Sequence, residues 1–175
     1  MAIMQLVEAG KIDLDTPIQK YLPWFALADP EEAKQITIRH LISHTSGISE
    51  LTGNKDIFSD DMQDDALENG IRELSNTRLN RPVGESYEYS NINYAILGLI
   101  VQVVSGQSYE SYIKEHIFTP LEMSNSYTSK AEASGLATGH TFFFGNPIVR
   151  DNFSYSRRLL PAGFLISSAE DLGHY

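Results

Sequence analysis

The chain of 175 residues has no cysteine, and its basic side chains are few relative to its acidic ones. Without cysteine it can form no disulfide bond, thiolate nucleophile or zinc–thiolate site. Lysine and arginine together number 13, against 23 aspartate and glutamate residues, which gives a net charge of -10. Because no cluster of basic residues could follow a phosphate backbone, we predict no nucleic-acid partner.

Long apolar runs are also lacking. The longest, Tyr94 to Val104, is interrupted at Gly98 and Gln102 and falls short of the roughly 20 residues that a membrane-spanning helix needs. The chain starts at Met1 with an amphipathic pattern rather than with the basic stretch and apolar core of a signal peptide. With 42% hydrophobic residues it can nevertheless bury a sizeable core, and its length corresponds to one domain.

Helical patterns dominate the first two thirds of the chain. The segment from Asn93 to Val104 is apolar nearly all round and is followed by Gly106, which predicts a core helix with a glycine at its end. Thr37 is expected to cap a short helix from Ile38 to Ser43. The segment just before the core helix, Tyr87 to Asn91, is predicted to be extended.

Two other stretches have a different character. The segment from Ser49 to Asp65 is acidic and without helical periodicity, and its aspartates lack the alternating ligands and glycine of a calcium loop. We expect a solvated loop there. From Gly139 onward, aromatic and polar residues alternate around Phe142–Phe144, which predicts extended structure before Ser167 or Ser168 caps a last helix.

Tyr89 and Asn91 are candidate site residues because they lie two positions apart in the predicted extended segment. Side chains at positions i and i+2 of an extended chain point to the same side. A phenol can transfer protons when nearby cations stabilise its anion, and an amide can hold a substrate amide. The same tripeptide is also compatible with a packed tyrosine and a helix-capping asparagine.

The surrounding sequence separates these interpretations. Five segments read L-V-E-A-G-K-I-D-L-D-T-P-I-Q-K-Y-L-P, I-T-I-R-H-L-I-S-H-T-S-G-I, P-V-G-E-S-Y-E-Y-S-N-I-N-Y-A-I-L-G-L-I, V-S-G-Q-S-Y-E-S-Y-I-K-E-H-I-F-T-P-L-E-M and P-A-G-F-L-I-S-S-A-E-D-L. In this order and spacing they resemble the penicillin-binding protein and class C β-lactamase family of serine hydrolases. The resemblance covers nearly the whole chain.

The resemblance implies an α+β serine β-lactamase or penicillin-binding transpeptidase-like fold, of which this chain supplies mainly the helical lobe. In that family the nucleophile is the serine of an S-x-x-K motif at the start of the helix that leads into L-V-E-x-G-K. Here that helix begins at Met1, so the serine and lysine are expected upstream. The third motif, K-T-G or H-x-G, is expected beyond Tyr175. Residues 1–175 are therefore predicted to be an internal part of one such domain, truncated at both ends.

The implied activity is hydrolysis of amides or esters through an acyl-serine intermediate, with β-lactams, D,D-peptides, D-amino-acid peptides and esters as candidate substrates. Tyr89 matches the family's proton-transferring tyrosine and Asn91 its substrate-binding asparagine. Ser90 is expected to point away from them. The segment Ala162, Gly163 and Phe164 matches one that borders the substrate cleft. Class C β-lactamases often have an aromatic residue where this chain has Ala162, which argues against typical cephalosporinase activity.

Two local patterns imitate catalytic motifs. Ser111 and Lys114 fit S-x-x-K, but their helical phase places them on the solvent face, where a lysine keeps its proton. His40 and His44 have the i, i+4 spacing of zinc ligands, but Leu41 replaces the glutamate of H-E-x-x-H and no third ligand is evident. Two alternatives stay open, namely a non-catalytic binding or scaffolding member of the same fold and, more weakly, a zinc hydrolase.

The resemblance implies no metal and no organic cofactor. It also implies a small-molecule or cell-wall peptide substrate and a location outside the cytoplasm, whether periplasmic, secreted or at the cell surface. The sequence leaves membrane anchoring of the parent protein open. The strands that would cover the helix Asn93 to Val104 and the face Ala2 to Val7 are expected to lie outside this chain. We therefore predict that the chain exposes apolar surface and self-associates.

Overall fold

The structure is a computed structural model and describes residues 1–57, 59–150 and 155–175. In these ranges, short helices surround a longer central helix, and a hairpin lies at the surface. The helices are α1 Ala2–Glu8, α2 Pro30–Ala33, α3 Ile38–Ile42, α4 Glu50–Asn54, α5 Ala66–Arg72, α6 Asn91–Ser105, α7 Tyr109–Ile113, α8 Leu160–Gly163 and α9 Ala169–Leu172. The hairpin strands are β1 Gly139–Phe143 and β2 Asn146–Arg150.

Helix α6 is the centre of the core, as its apolar sequence predicts. It begins at Asn91 rather than at Asn93, and it ends before Gly106, whose φ of 74° is left-handed. It contacts α1, α3, α4, α5, α7 and α8. A Cβ atom placed on Gly98 would lie 2.1 Å from the Cγ atom of Pro161, so this glycine allows α8 to pack directly against α6.

The two helix caps predicted from the sequence, at Thr37 and at Ser167 or Ser168, are confirmed. The hydroxyl of Thr37 accepts a hydrogen bond from the backbone N–H of His40 at 3.3 Å, at the start of α3. Ser168 caps α9 in the same way, by accepting from the N–H of Asp171 at 3.1 Å. Ser49 caps α4, a helix that the sequence did not predict because the whole of 49–65 was assigned to a loop.

The acidic segment is also less solvated than predicted. Asp56 and Asp61 accept hydrogen bonds from the guanidinium of Arg158, each at 3.1 Å, and Asp64 forms an ion pair with Arg157. The Arg158 side chain is only 16% exposed. Two adjacent arginines from the far end of the chain therefore hold the acidic segment against the helices.

The aromatic tail forms the predicted extended structure, here an antiparallel hairpin with Gly139 opposite Arg150. Its side chains are mostly exposed, and Phe144 at the turn is 89% exposed. Residue 58 and residues 151–154, which fall within the predicted loop and tail, lie outside the described residues. Within the described part of the chain, no helix combines the length and apolar character needed to cross a membrane.

Candidate active site

Tyr89 and Asn91 meet at the start of α6. The backbone at Ser90 between them is extended, with φ -152° and ψ 123°, and Asn91 is the first residue of the helix. The Tyr89 hydroxyl donates a hydrogen bond to Oδ1 of Asn91 at 2.9 Å, and the Tyr89 side chain is 43% exposed. The structure thus brings together the two predicted site residues at the surface. Their catalytic roles stay a prediction.

Ser90 points into the protein, as the alternation of an extended chain requires. It is completely buried. Its hydroxyl donates to the carbonyl oxygen of Ser49 at 3.0 Å, and its backbone N–H donates to Nδ1 of His44 at 3.2 Å. These bonds fix the backbone between Tyr89 and Asn91 from the inner side.

The side chain of His44 packs against the inner face of Tyr89. Its backbone has a left-handed φ of 56°, which is uncommon outside glycine, and its side chain is nearly buried. The imidazole ring lies 4.6 Å from the ring of Tyr89 and 5.2 Å from the ring of Tyr94, measured between centroids. The histidine therefore supports the exposed tyrosine from below.

The protonation state of His44 follows from its neighbours. Both the backbone N–H of Ser90 and Nδ2 of Asn93 lie 3.2 Å from Nδ1 of His44. Because a backbone N–H can only donate, Nδ1 must accept and the ring proton resides on Nε2. Burial lowers the pKa of His44 below its ordinary value. The site is thus built around a neutral imidazole.

A buried polar network continues behind the histidine. The hydroxyl of Ser46 donates to Oδ1 of Asn93 at 2.7 Å, which leaves Nδ2 of Asn93 facing His44. From the sequence His44 was considered only as a possible zinc ligand, so this network was not predicted. The available signal was Asn93 itself, because an asparagine inside an otherwise apolar core helix needs buried hydrogen-bond partners.

Hydrogen bonds to the carboxylate of Glu88 hold the segment that precedes Tyr89. The carboxylate of Glu88 accepts from Nδ2 of Asn80 at 2.9 Å and from Nε of Arg81 at 3.2 Å. The hydrogen bond from Asn80 is the main cause that lowers the pKa of Glu88, and Arg81 adds to it. The backbone N–H of Glu88 also donates to the carbonyl oxygen of His44 at 2.8 Å. These contacts fix the backbone directly before Tyr89.

The zinc alternative is not supported by the positions of the two histidines. Helix α3 ends at Ile42, so His44 is not on its surface. Nδ1 of His40 accepts from the N–H of Thr37 at 3.3 Å, and Nδ1 of His44 faces Ser90. Within the described ranges, no three histidine, aspartate or glutamate side chains gather into a group that could hold a metal ion.

Ser111 and Lys114 lie on the surface of the segment that contains α7, as their helical phase predicts. Ser111 uses its backbone N–H and its hydroxyl to bind the capping hydroxyl of Ser108, at 3.1 and 2.9 Å. Ser111 therefore belongs to the cap at the start of α7, and Lys114 directly follows that helix at the surface, where water stabilises its ammonium group.

The predicted cleft segment lies farther along α6. Pro161 in α8 packs on Gly98, which is about 10 Å along the helix axis from Asn91. Ala162 is half-buried, Gly163 has open space where a Cβ atom would be, and the ring of Phe164 packs 5.4 Å from that of Tyr155. Among the described residues, no hydrogen bond joins Ala162, Gly163 or Phe164 to Tyr89 or Asn91. Their role in substrate binding stays a prediction.

Comparison with known proteins identifies related sequences and folds. The family model described as Beta-lactamase matches residues 1–175. Protein flp of Staphylococcus aureus (strain MW2) is 32% identical over 184 residues, which cover 100% of this chain and 35% of that protein. Penicillin-binding protein 4 of Amycolatopsis lactamdurans is 39% identical over 132 residues, which cover 75% of this chain and 33% of that protein.

The same relationship is found among solved structures. The octameric penicillin-binding protein homologue from Pyrococcus abyssi matches with a TM-score of 0.78 and 30% identity, over 99% of this chain and 40% of the other. The helices and hairpin described above therefore form part of the α+β fold of these proteins. The chain spans about a third of the length of the two sequence relatives.

Proposed function

Because the chain belongs to the beta-lactamase family, whose model it matches from residue 1 to residue 175, we propose that it forms one wall of the catalytic cleft of a serine hydrolase. The reaction is hydrolysis of an amide or ester through an acyl-serine intermediate. The nucleophilic serine and its lysine come from a part of the same protein outside residues 1–175, and this chain contributes Tyr89 and Asn91.

One observation carries this proposal. The hydroxyl of Tyr89 and the amide of Asn91 are joined by a 2.9 Å hydrogen bond at the start of a core helix, with Tyr89 partly exposed. A tyrosine placed only for packing would have its ring covered by apolar side chains. Here the ring lies against the neutral imidazole of His44, the residue is partly exposed, and its hydroxyl binds a second polar group.

The chemistry divides between the two residues. The serine oxygen attacks the substrate carbonyl carbon, and its proton passes to a base formed by the lysine and Tyr89. When the carbon–nitrogen or carbon–oxygen bond breaks, Tyr89 returns a proton to the leaving group. Asn91 binds the amide of the substrate and orients it. Water then adds to the acyl-serine and releases the acid. These steps need no metal and no organic cofactor.

The names of the relatives support a proposal for the substrate class. One of them is named a penicillin-binding protein, so we propose that the substrates are β-lactams or peptides that end in D-amino acids, as in cell walls. Such substrates lie outside the cytoplasm, and we propose that location for the protein. Ala162, Gly163 and Phe164 would border the part of the cleft that receives the substrate.

The test is covalent labelling of the complete protein that contains this chain. A fluorescent penicillin or a fluorophosphonate should label the unchanged protein, and turnover of an ester or amide substrate should be saturable. Tyr89→Phe keeps the ring and removes one hydroxyl, so kcat should fall about 10²- to 10⁴-fold. Asn91→Ala should also weaken turnover through lost substrate positioning.

The controls are two exposed residues in and directly after α7. Ser111→Ala and Lys114→Ala should leave turnover and labelling unchanged, because both follow the C-terminal end of α6, whereas Asn91 begins that helix. The 175-residue chain alone should neither be labelled nor hydrolyse these substrates. Loss of labelling in Ser111→Ala together with full activity in Tyr89→Phe would show that the assignment is wrong. A complete protein that binds a penicillin reversibly but is never acylated would indicate a non-catalytic binding member of the fold.

A further inference from the structure

Helix α4 contacts the segment of Tyr89 and Asn91 at both of its ends. At its start, the carbonyl oxygen of Ser49 accepts from the hydroxyl of Ser90 at 3.0 Å. At its end, a Cβ atom on Gly53 would lie 2.6 Å from both the backbone nitrogen of Asn91 and the hydroxyl oxygen of Ser90. Only a glycine allows this approach. The helix is therefore held directly against the start of α6.

The close approach places Asn54 beside Asn91. Oδ1 of Asn54 accepts a hydrogen bond from Nδ2 of Asn91 at 2.8 Å. The side chain of Asn54 is half-buried, and its own Nδ2 donates to Oε1 of Glu50, one turn earlier in α4, at 3.5 Å. The side chains of Glu50, Asn54, Asn91 and Tyr89 form a continuous chain of hydrogen bonds that ends at the hydroxyl of Tyr89.

This chain has a fixed direction. A carboxylate can only accept, so Glu50 draws the NH₂ group of Asn54 and leaves its carbonyl oxygen for Asn91. The Asn91 amide must then present its NH₂ group to Asn54 and its oxygen to the Tyr89 hydroxyl, which donates at 2.9 Å. Without Asn54, the amide of Asn91 could rotate by 180° and exchange its donor and acceptor.

Charged residues directly after Asn54 hold it in place. Lys55 forms an ion pair with Glu73 at 2.5 Å, and Asp56 pairs with Arg158 at 3.1 Å. Arg158 also binds Glu73 at 2.7 Å. The hydrogen bond from Arg158, followed by that from Lys55, lowers the pKa of Glu73 to about 2. The end of α4 is thereby fixed to α5 and to the segment before α8.

We propose that Asn54 is a positioning residue that orients the Asn91 amide for substrate binding. This inference rests on the proposed function, because it gives Asn91 the task of holding a substrate amide. Asn54 itself touches no reacting atom. Its contribution is to prevent the amide from presenting the wrong atom to the substrate, or to Tyr89.

The kinetic test uses the complete protein with three variants. Asn54→Ala should raise KM for an amide substrate by between about tenfold and about 100-fold. The upper value is the effect expected when a substrate-binding group is misplaced by about 1 Å. The double variant Glu50→Gln and Asn54→Asp exchanges amide and carboxylate without changing the net charge. It keeps an acceptor facing Asn91 and should restore KM. Leu51→Ala changes a side chain of the same helix that is 84% exposed and should have no effect.

A second measurement on the complete protein, which does not depend on turnover, separates this inference from the proposed function. The side-chain NH₂ protons of Asn91, followed by NMR in ¹⁵N-labelled protein, should exchange slowly in the unchanged protein and in the swapped double variant. They should exchange several-fold faster in Asn54→Ala. If the complete protein is inactive but this pattern holds, the proposed function fails and the orientation of Asn91 by Asn54 stands. Equal exchange rates, or a KM that Asn54→Ala leaves unchanged, would overturn the inference.

Discussion

His44 gives the sharpest test of how the candidate site is built. The change His44→Phe keeps a flat ring between Tyr89 and Tyr94 but removes Nδ1, the acceptor for two donors at 3.2 Å. The backbone N–H of Ser90 and the amide of Asn93 are both completely buried, so water cannot replace the lost acceptor.

The expected cost follows from these two unpaired groups. Leaving one buried donor without a partner costs about 1–3 kcal/mol, so the two together predict a loss of about 2–6 kcal/mol in the free energy of unfolding. This is a large part of the roughly 5–15 kcal/mol that stabilises a typical domain. The matched control is His40→Phe. It removes one acceptor for the Thr37 N–H in a less buried position and should cost about 0.5–1.5 kcal/mol.

The measurement is urea unfolding of the 175-residue chain, followed by circular dichroism between pH 5 and pH 8. Burial lowers the folded-state pKa of His44, so below its unfolded pKa of about 6.5 the unfolded chain binds more protons. The stability that neutral His44 contributes is therefore complete above pH ~6.5 and is lost as the pH falls through the folded pKa. His44→Phe lacks this pH-dependent contribution. The difference in the free energy of unfolding between the unchanged chain and His44→Phe should therefore become smaller as the pH falls.

Two results would refute the reasoning. One is that His44→Phe lowers the free energy of unfolding by less than about 0.5 kcal/mol at pH 7.5, since that would mean that the hydrogen bonding of Ser90 and Asn93 does not depend on the imidazole. The other is that the difference in the free energy of unfolding between His44→Phe and the unchanged chain stays constant across the pH range. In that case the histidine would not be held in its neutral form.

Two further predictions concern packing and assembly. Gly53→Ala should destabilise the chain by about 1–3 kcal/mol, because its Cβ atom would overlap the backbone of Asn91. The measurement is thermal denaturation. The matched control is Gly70→Ala, whose Cβ atom would meet only ordinary contacts at 3.7 Å and which should not destabilise the chain. The 175-residue chain should self-associate, because Phe142 and Phe144 are exposed and an apolar cavity of about 360 Å³ lies between α1, α6 and α9. Light scattering at tens of micromolar tests this. A monodisperse monomer that binds no hydrophobic dye would contradict the prediction.

The sequence by itself determined the features that depend on neighbours along the chain. The apolar run of α6 has to be buried wherever its partners come from, and Gly106 ends it because glycine adopts a left-handed backbone without steric cost. Thr37 and Ser168 cap their helices through contacts within one turn. The contact of Tyr89 with Asn91 follows from the period of two in an extended segment. The order of the motifs was sufficient to predict the family.

Tertiary structure alone decided what surrounds Tyr89 and Asn91. His44 and Ser90 are 46 positions apart, and Asn54 and Asn91 are 37 apart. Short polar side chains have no periodicity that would predict such pairs. The helix α4 was missed for a related reason, since only five residues are helical there and packing against α6, rather than an amphipathic pattern, stabilises them. Which buried donor meets which acceptor is fixed only when the helices pack, because each buried polar group must then find a partner within about 3 Å.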